Sequence, residues 1–299
     1  MNFLNGLIQG TLLGGYYAII ACGLSFMFGV MKIINLAHGT LAIVAAFLFW
    51  TLVEKAGLSP LVAPLIVLPL MAVVGWLLQR GILERSARAG NLVPILSTFG
   101  LAIVVENLLF QYFGANTRSL APAIGDLSFE SWDVGGIYIG KLAVLILVIA
   151  VLLLGGLQLF LTHTPIGRAI RATSEDPDTA ELVGVNSRAV NAIAAAIALV
   201  TVAVAGMLLA VRAAFDAYSG PMQLIFAFEA AVIGGAGSLW GTLVGGIILG
   251  IAQTLGAQVH PLGFLIAGHA VFLVILVGRL YVPHLGVASF FRALLRRPS

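Results

Sequence analysis

Few side chains in this chain could do chemistry, and most of them lie within apolar stretches. Glu106 and Asn107 lie together in the middle of one stretch, and Glu229 lies within another. A carboxylate at the centre of a bilayer costs about 2.5–3.5 kcal/mol on insertion scales, so each acid should face the interior of a helix bundle and either have a partner or be protonated. Two roles remain open for both acids: proton relay, or fixing of helix packing through Asn107, Gln111 or Gln253.

His38 lies in a short polar break, residues 33–39, between two apolar runs. A polar break at membrane depth must face protein or a cavity. One interpretation is a histidine at a helix end whose hydrogen bonds are satisfied, and the other is a residue of a transport pathway.

No pattern in the sequence predicts an enzyme. Residues 135–142 match the phosphate-binding pattern GxxxxGK up to the last position, where Leu142 replaces the Ser or Thr that binds magnesium. The segment also opens an apolar span instead of following a strand, so we expect no nucleotide site. The histidines have no metal-ligand spacing, and no serine or cysteine has a base near it in sequence. The five histidines are His38, His163, His260, His269 and His284.

The composition predicts an integral membrane protein. Hydrophobic residues make up 61% of the 299 residues and charged residues 9%, and mean hydropathy is +1.10. The net charge of +3 comes from Arg and Lys at the ends of apolar runs, so it reports topology and no nucleic-acid partner is expected. The single Cys22 excludes a disulfide framework. Residues 1–6 carry no basic residue, so we expect the first span to remain as an anchor.

Apolar runs of roughly 20 residues predict transmembrane helices. We expect an all-α, polytopic membrane helix bundle forming a single domain over residues 1–299, with about 8–9 transmembrane helices and a broken or re-entrant segment near 224–238. The predicted spans are residues 7–30, 36–53, 61–78, 92–113, 137–161, 189–211, 224–233, 239–255 and 262–281.

Clusters of arginine predict the orientation, because short cytoplasmic loops carry an excess of Arg and Lys. Three clusters should therefore be cytoplasmic, including the C-terminus. The acidic loop 114–136 and the N-terminus should then lie outside. The clusters are Arg80, Arg85 and Arg88; Arg168, Arg171 and Arg188; and Arg292, Arg296 and Arg297.

Residues 162–188 form the most highly charged segment between apolar spans, with seven of the 27 charged residues. Thr164 before Pro165, and Asp176 before Pro177, predict the starts of two short helices, and Gly184 predicts the stop. We expect Ile166, Ala169 and Ile170 to line one side of the first helix. Such a hairpin is either built to contact a partner outside the bilayer or is a solvated connector. Its charged residues are Arg168, Arg171, Glu175, Asp176, Asp178, Glu181 and Arg188.

Glycines recur at a spacing that lets membrane helices approach closely. Residues 241–245 and 246–250 each have the GxxxG spacing. Residues 10–15 repeat the pattern of residues 241–246, which is either coincidence or a trace of duplicated halves.

Several motifs together resemble one family, the LivH/LivM-type permease subunits of bacterial ABC importers for branched-chain amino acids. They occur in the family's order, cover roughly residues 6–276, and place the chain nearer the LivH branch. The matching pieces are residues 35–39, 94–100 with Glu106 and Asn107, 167–172 followed by 180–186, and 232–238 followed by 241–246.

The resemblance implies a function for several residues. Segment 162–188 would be the cytoplasmic loop that couples to an ATPase, and a second set would line the pathway or pack the bundle. The coupling residues would be Gly167, Arg168, Arg171, Glu175, Asp176, Pro177, Glu181 and Gly184. The pathway or packing residues would be Asn35, His38, Glu106, Asn107, Glu229, Gly234, Gly235 and Gly237.

The resemblance also implies partners. These would be a second, LivM-like permease, two cytoplasmic ATPase subunits that bind ATP and magnesium, a periplasmic or extracellular substrate-binding protein, and membrane lipid. The chain itself would bind no cofactor and would be a multi-pass protein of the bacterial cytoplasmic (inner) membrane.

Departures from the family pattern keep alternatives open. Phe226 stands where the family often has a basic residue, Glu229 is an unusual acid, and residues 279–286 replace the usual tail. Related permeases serve urea, short amides or aromatic acids. A rival of another class is a proton- or ion-coupled secondary transporter that uses Glu106 or Glu229.

Overall fold

The computed structural model describes residues 2–90 and 92–281. Most of this part of the chain is helical, and one β-hairpin lies in the connection that follows residue 129. The elements are α1 Asn2–Met31, α2 His38–Trp50, α3 Pro64–Leu78, α4 Glu84–Arg88, α5 Val93–Phe113, α6 Asp126–Phe129, β1 Ser131–Val134, β2 Ile137–Gly140, α7 Lys141–His163, α8 Pro165–Glu175, α9 Pro177–Leu182, α10 Ser187–Arg212, α11 Gly220–Gly234, α12 Leu239–Val259 and α13 Gly263–Tyr281. Turns of π-helix at Thr51–Lys55 and Gln79–Leu83 extend α2 and join α3 to α4.

Seven helices in the described residues are long and apolar enough to cross a membrane, and α11 and α13 are shorter apolar helices. The predicted all-α, polytopic membrane bundle is confirmed. The 15 residues of α11 span only about 22 Å, less than the ~30 Å hydrocarbon core. The arginine cluster at 292–297 lies outside the described residues.

One predicted span begins in the wrong place. Residues 137–140 are not helical but form β2, which pairs antiparallel with β1 around a turn at Gly135 and Gly136. Both glycines have positive φ, 63° and 84°, which the reversal requires and other residues rarely adopt. The apolar side chains of β2 run on into α7, so hydropathy alone merges the strand with the helix.

The centre of the bundle is α1. In its most apolar stretch 83% of the residues are buried, against 17% in α5 and 22% in α7. Helices α7, α10, α11 and α12 pack around α1, while α2 and α3 pack against α10. The outer faces of α5 and α7 are left for lipid or for another subunit.

Glycine determines how closely α12 approaches its neighbours. A Cβ added to Gly250 would lie 2.3 Å from the carbonyl oxygen of Gly10 in α1. One added to Gly245 would lie 2.1 Å from the carbonyl oxygen of Ala230 in α11. The two predicted GxxxG spacings therefore serve different contacts: residues 241 and 245 face α11, and residues 246 and 250 face α1.

Candidate functional site

Helix caps shape the polar segment between α7 and α10. The hydroxyl of Thr164 accepts a hydrogen bond from the backbone N–H of Gly167 at 2.9 Å and begins α8. The carboxylate of Asp176 accepts from the N–H groups of Asp178 and Thr179 at 3.1 Å and begins α9. Gly184 follows with φ +89°. Both predicted short helices are confirmed, with their predicted start and stop residues.

The bond from the Thr179 hydroxyl, together with the backbone N–H bonds, lowers the pKa of Asp176 below its ordinary value of 3.8. The carboxylate is therefore ionised at neutral pH and complements the positive end of α9. This charge keeps the cap in its strongest hydrogen-bonding form.

The buried face of α8 differs from the predicted one. Gly167, Ile170 and Thr173 are buried, while Ile166 is 45% exposed. A Cβ on Gly167 would lie 2.3 Å from the carbonyl oxygen of Phe160, so α8 folds back directly on the end of α7. The prediction for Ile166 was wrong, because this contact sets the rotation of α8 and turns the residue before Gly167 outward.

The opposite surface of the hairpin is exposed and carries both charge and apolar side chains. Leu182 is 87% exposed and Val183 76%, at the end of α9. A shallow cleft of ≈ 410 Å³ lies beside them, lined by Glu181, Gly184, Val185, Asn186 and Arg188. Exposed apolar side chains ringed by charge are typical of a surface that another protein covers. The remaining exposed residues of the predicted coupling set are Arg168, Arg171, Glu175, Asp176 and Pro177.

Two contacts brace this surface. The Nε of Arg188 lies 3.5 Å from Oε1 of Glu84, which also pairs with Arg88 at 2.6 Å. The Ser187 hydroxyl donates to the carbonyl oxygen of Pro177 at 3.3 Å. The start of α10 therefore holds both α9 and α4.

Asn35 and His38 organise the break between α1 and α2. The side-chain oxygen of Asn35 accepts from the N–H of Ala37 at 3.0 Å, and Nε2 of His38 donates to the carbonyl oxygen of Ile20 at 2.7 Å. Both side chains are fully buried. Because Ile20 lies in the middle of α1, α2 begins at membrane depth. His38 therefore fixes the start of α2 against α1, but its Nδ1 has no hydrogen-bond partner among the described residues, so its hydrogen bonds are only half satisfied.

Glu106 and Asn107 do not act as a pair. Oε1 of Glu106 accepts a hydrogen bond from the Thr40 hydroxyl of α2 at 2.8 Å. The Asn107 amide instead donates to the carbonyl oxygen of Ile103 in its own helix and is exposed. Glu106 therefore faces the bundle, while Asn107 lies on the outer surface of α5.

Glu229 is buried and hydrogen-bonded to Nδ1 of His269 in α13. Sequence reasoning missed this partner, because the two residues are 40 positions apart. The alternative partner considered for the acids, Gln253, accepts from the Tyr17 hydroxyl instead. The only signal in the sequence is that both Glu229 and His269 are polar residues within apolar spans, where such residues seek each other.

Gly234, Gly235 and Gly237 form the turn from α11 to α12. A Cβ on Gly234 would lie 2.0 Å from the carbonyl oxygen of Gly241, and Gly235 and Gly237 have φ of +97° and +91°. Ser25 of α1 accepts from the N–H of Gly237 at 3.0 Å. The turn is therefore a fixed corner attached to α1.

The described residues contain no group of three or more His, Cys, Asp or Glu side chains that could hold a metal ion. The GxxxxGK-like segment forms the turn of the β-hairpin, strand β2 and the first residues of α7, where Lys141 pairs with Glu130. That lysine is thus already occupied by a carboxylate.

Comparison with known proteins identifies the family. The sequence profile described as "Branched-chain amino acid transport system / permease component" matches residues 6–280. The chain is 32% identical over 271 residues to the high-affinity branched-chain amino acid transport system permease protein BraD of Pseudomonas aeruginosa, covering 86% of this chain and 87% of that protein.

Two further relatives agree. The permease protein LivH of Escherichia coli K12 is 30% identical over 278 residues, covering 86% of this chain and 87% of that protein. The probable branched-chain amino acid transport permease protein LivH of Methanocaldococcus jannaschii is 27% identical over 300 residues, covering 95% and 92%. No solved structure matches the chain. A profile match over nearly the whole bundle, from the first turns of α1 to the end of α13, shows that this chain belongs to the branched-chain amino acid transport permease family.

Proposed function

We propose that the chain is the membrane permease subunit of an ABC importer for branched-chain amino acids. It would form the translocation pathway with a second permease and would be driven by two ATPase subunits that carry ATP and magnesium. A substrate-binding protein would deliver the amino acid from outside. The names of the relatives support the substrate class over urea, short amides or aromatic acids.

The observation that carries the proposal is the α8–α9 hairpin. A solvated connector needs neither two capped helices nor a glycine packed so closely that an added Cβ would lie 2.3 Å from a backbone oxygen. A rigid body fixed to α7 and α10 can transmit displacement to both helices. The exposed Leu182 and Val183, with Arg168 and Arg171 nearby in the chain, give an ATPase subunit an apolar and charged surface to bind.

Orientation in the bacterial inner membrane follows from charge. The arginines near α4 and those of the hairpin lie at one end of the bundle, joined through Glu84 and Arg188. An excess of Arg in short loops is typical of the cytoplasmic side. We therefore assign the α8–α9 hairpin and the C-terminus to the cytoplasm, and the hairpin of β1 and β2 to the outside.

The second permease would cover α5. Its exposed apolar side chains include Phe99, Ile103 and Phe110. Within the described residues α5 packs on α2 and on the segment around α4, and only 17% of its most apolar stretch is buried, so most of its surface is available to lipid or to another subunit.

The test uses the complete importer in proteoliposomes, with ATP inside and radiolabelled leucine as the probe. Arg168→Glu combined with Arg171→Glu reverses the charge of the hairpin surface, where opposed like charges cost several kcal/mol. Leucine uptake and substrate-stimulated ATP hydrolysis should fall together by at least tenfold. Arg85→Glu, an exposed reversal outside the hairpin, is the matched control and should retain most of the uptake.

If the double variant is present at normal amounts and takes up leucine at the wild-type rate, the α8–α9 hairpin is only a connector. Uptake driven by a proton gradient and insensitive to ATP depletion would instead support the secondary transporter that uses Glu106 or Glu229.

A further inference from the structure

Glu106 differs from the other acid within a span because no cation accompanies it. Glu229 bonds His269, whereas among residues 2–90 and 92–281 no ion pair includes Glu106. Its recorded contact is one hydrogen bond from the neutral Thr40 hydroxyl, 2.8 Å long. A carboxylate at membrane depth is costly unless a cation or several hydrogen bonds accompany it. Among the described residues, Glu106 therefore has no cation to balance its charge when it is ionised.

The surroundings of Glu106 place it at a boundary of the bundle. Thr98 and Ala102 lie two turns and one turn before it on the same face of α5, and both are buried against the start of α2. The Thr98 hydroxyl accepts from the N–H of Leu36 at 3.0 Å. Thr40 lies one helical turn beyond Leu36 and reaches Glu106. Glu106 is half-buried at this contact, at the edge between the buried and the exposed faces of α5.

Helix α11 closes the other side of the same region. A Cβ on Gly39 would lie 2.1 Å from the carbonyl oxygen of Gly220, so the starts of α2 and α11 touch at backbone distance. The rings of Phe110 and Tyr218, 5.5 Å apart, connect α5 with the segment that precedes α11. The start of α2 therefore lies between α5 and α11.

We propose that Glu106 binds the α-ammonium group of the transported amino acid as it passes the start of α2. This inference rests on the proposed function, and it makes the site one for the charged amino group that every such substrate carries. The ammonium is the only cation of such a substrate, and a charge-assisted hydrogen bond to a partly desolvated carboxylate is about twice as strong as a neutral one. The Thr40 hydroxyl occupies only Oε1 of Glu106, so the ammonium would bind through Oε2.

The experiment compares Glu106→Gln with Thr40→Val in the complete importer, with radiolabelled leucine as the probe. Gln keeps an oxygen that can accept from Thr40, so α5 keeps its anchor and only the charge is lost. Leucine uptake should fall at least tenfold in Glu106→Gln, with normal recovery of all subunits. Thr40→Val removes the anchor and keeps the charge, so uptake should fall no more than threefold. Gln111→Ala, an exposed polar residue further along α5, should match the wild type.

A second measurement keeps the proposal testable if Glu106→Gln assembles poorly. Glu106→Cys, in a Cys22→Ala background, is modified with a sulfonatoethyl or a methyl methanethiosulfonate reagent. Recovery of leucine uptake with the anionic adduct alone supports an ammonium site. Equal uptake with both adducts overturns the proposal, and so does wild-type uptake by Glu106→Gln. A loss of uptake in Thr40→Val as large as that in Glu106→Gln also overturns it, because Glu106 would then be a packing residue. A wild-type importer that does not transport leucine overturns the proposed function itself.

Discussion

Arg188, at the start of α10, places its Nε 3.5 Å from Oε1 of Glu84 in α4, although more than a hundred residues separate them. Glu84 also pairs with Arg88 at 2.6 Å, so one carboxylate gathers arginines from two different connections. Exposed ion pairs contribute little to stability. The contact is informative because it puts two of the arginine clusters at the same end of the bundle.

That relationship predicts the labelling of introduced cysteines. In a Cys22→Ala background, cysteine at exposed Ala89 or Ala172 should react with an impermeant maleimide only from the cytoplasmic side. Cysteine at Ser131, in β1, should react only from outside, because α7 separates it from the hairpin by about 34 Å. Labelling of Ala89 and Ala172 from opposite sides would contradict the Glu84 contact, and labelling of both from outside would reverse the orientation.

The cap of α9 predicts a local effect of Asp176. Asp176→Ala should increase hydrogen exchange at residues 178–183 and weaken coupling, whereas Asp176→Asn can still accept the two N–H bonds and should stay near the wild type. Deuterium uptake measured by mass spectrometry at pH 7 compares the two variants. Equal protection in Asp176→Ala and the wild type would show that the cap does not hold α9.

The lowered pKa of Asp176 sets the sign of the pH effect. A carboxyl group whose pKa is lower in the folded state contributes stability that is fully present above its ordinary pKa of 3.8. That contribution is lost as pH falls through the lowered pKa. Hydrogen exchange of α9, corrected for the intrinsic pH dependence, should therefore show no change in protection between pH 6 and 8.

The glycine contacts predict unequal effects of the same substitution. Gly250→Ala would place a Cβ 2.3 Å from the carbonyl oxygen of Gly10, so α1 and α12 must move apart at a cost of about 1–3 kcal/mol. Gly156→Ala in α7 meets nothing within 4 Å and gains helix propensity. Thermal unfolding in detergent should show a lower midpoint for the first variant and an equal or higher midpoint for the second. Equal midpoints would mean that α1 and α12 are not in backbone contact.

Glu229 is expected to be a structural residue. In Glu229→Gln the amide oxygen can still accept from His269, so ATP-driven leucine uptake and its pH dependence should change little. His269→Ala leaves the buried carboxyl group without this partner and should lower stability by about 1–3 kcal/mol. Uptake and thermal unfolding of both variants provide the measurement. Loss of pH dependence in Glu229→Gln, with normal stability, would instead indicate proton coupling.

Local chemistry explains which parts of the structure could be predicted. Caps and stops act within a few residues, so Thr164, Asp176 and Gly184 defined α8 and α9 from the sequence alone. Hydropathy located the spans for the same reason, since each helical span makes its backbone hydrogen bonds within itself. Strand β2 was missed because its apolar residues merge with α7, although the Gly135–Gly136 turn marks the hairpin.

Contacts between distant segments could not be predicted. The pairing of Glu229 with His269 depends on how α11 lies against α13, and the exposure of Ile166 depends on how α8 meets α7. The two faces of the glycine motifs in α12 are set in the same way. A single sequence records the residues of such contacts but not their pairing.

The packing of α1 against α12 also has a consequence for how the protein is made. The Thr254 hydroxyl donates to the carbonyl oxygen of Gly6, 248 residues earlier in the chain. The ribosome makes α1 long before α12, so the glycine face of α1 stays without its matching surface while the helices between them enter the bilayer. The central helix of the bundle is therefore inserted well before it can complete its packing. Truncation before α12 would leave the backbone of α1 facing lipid, a ready target for membrane quality control.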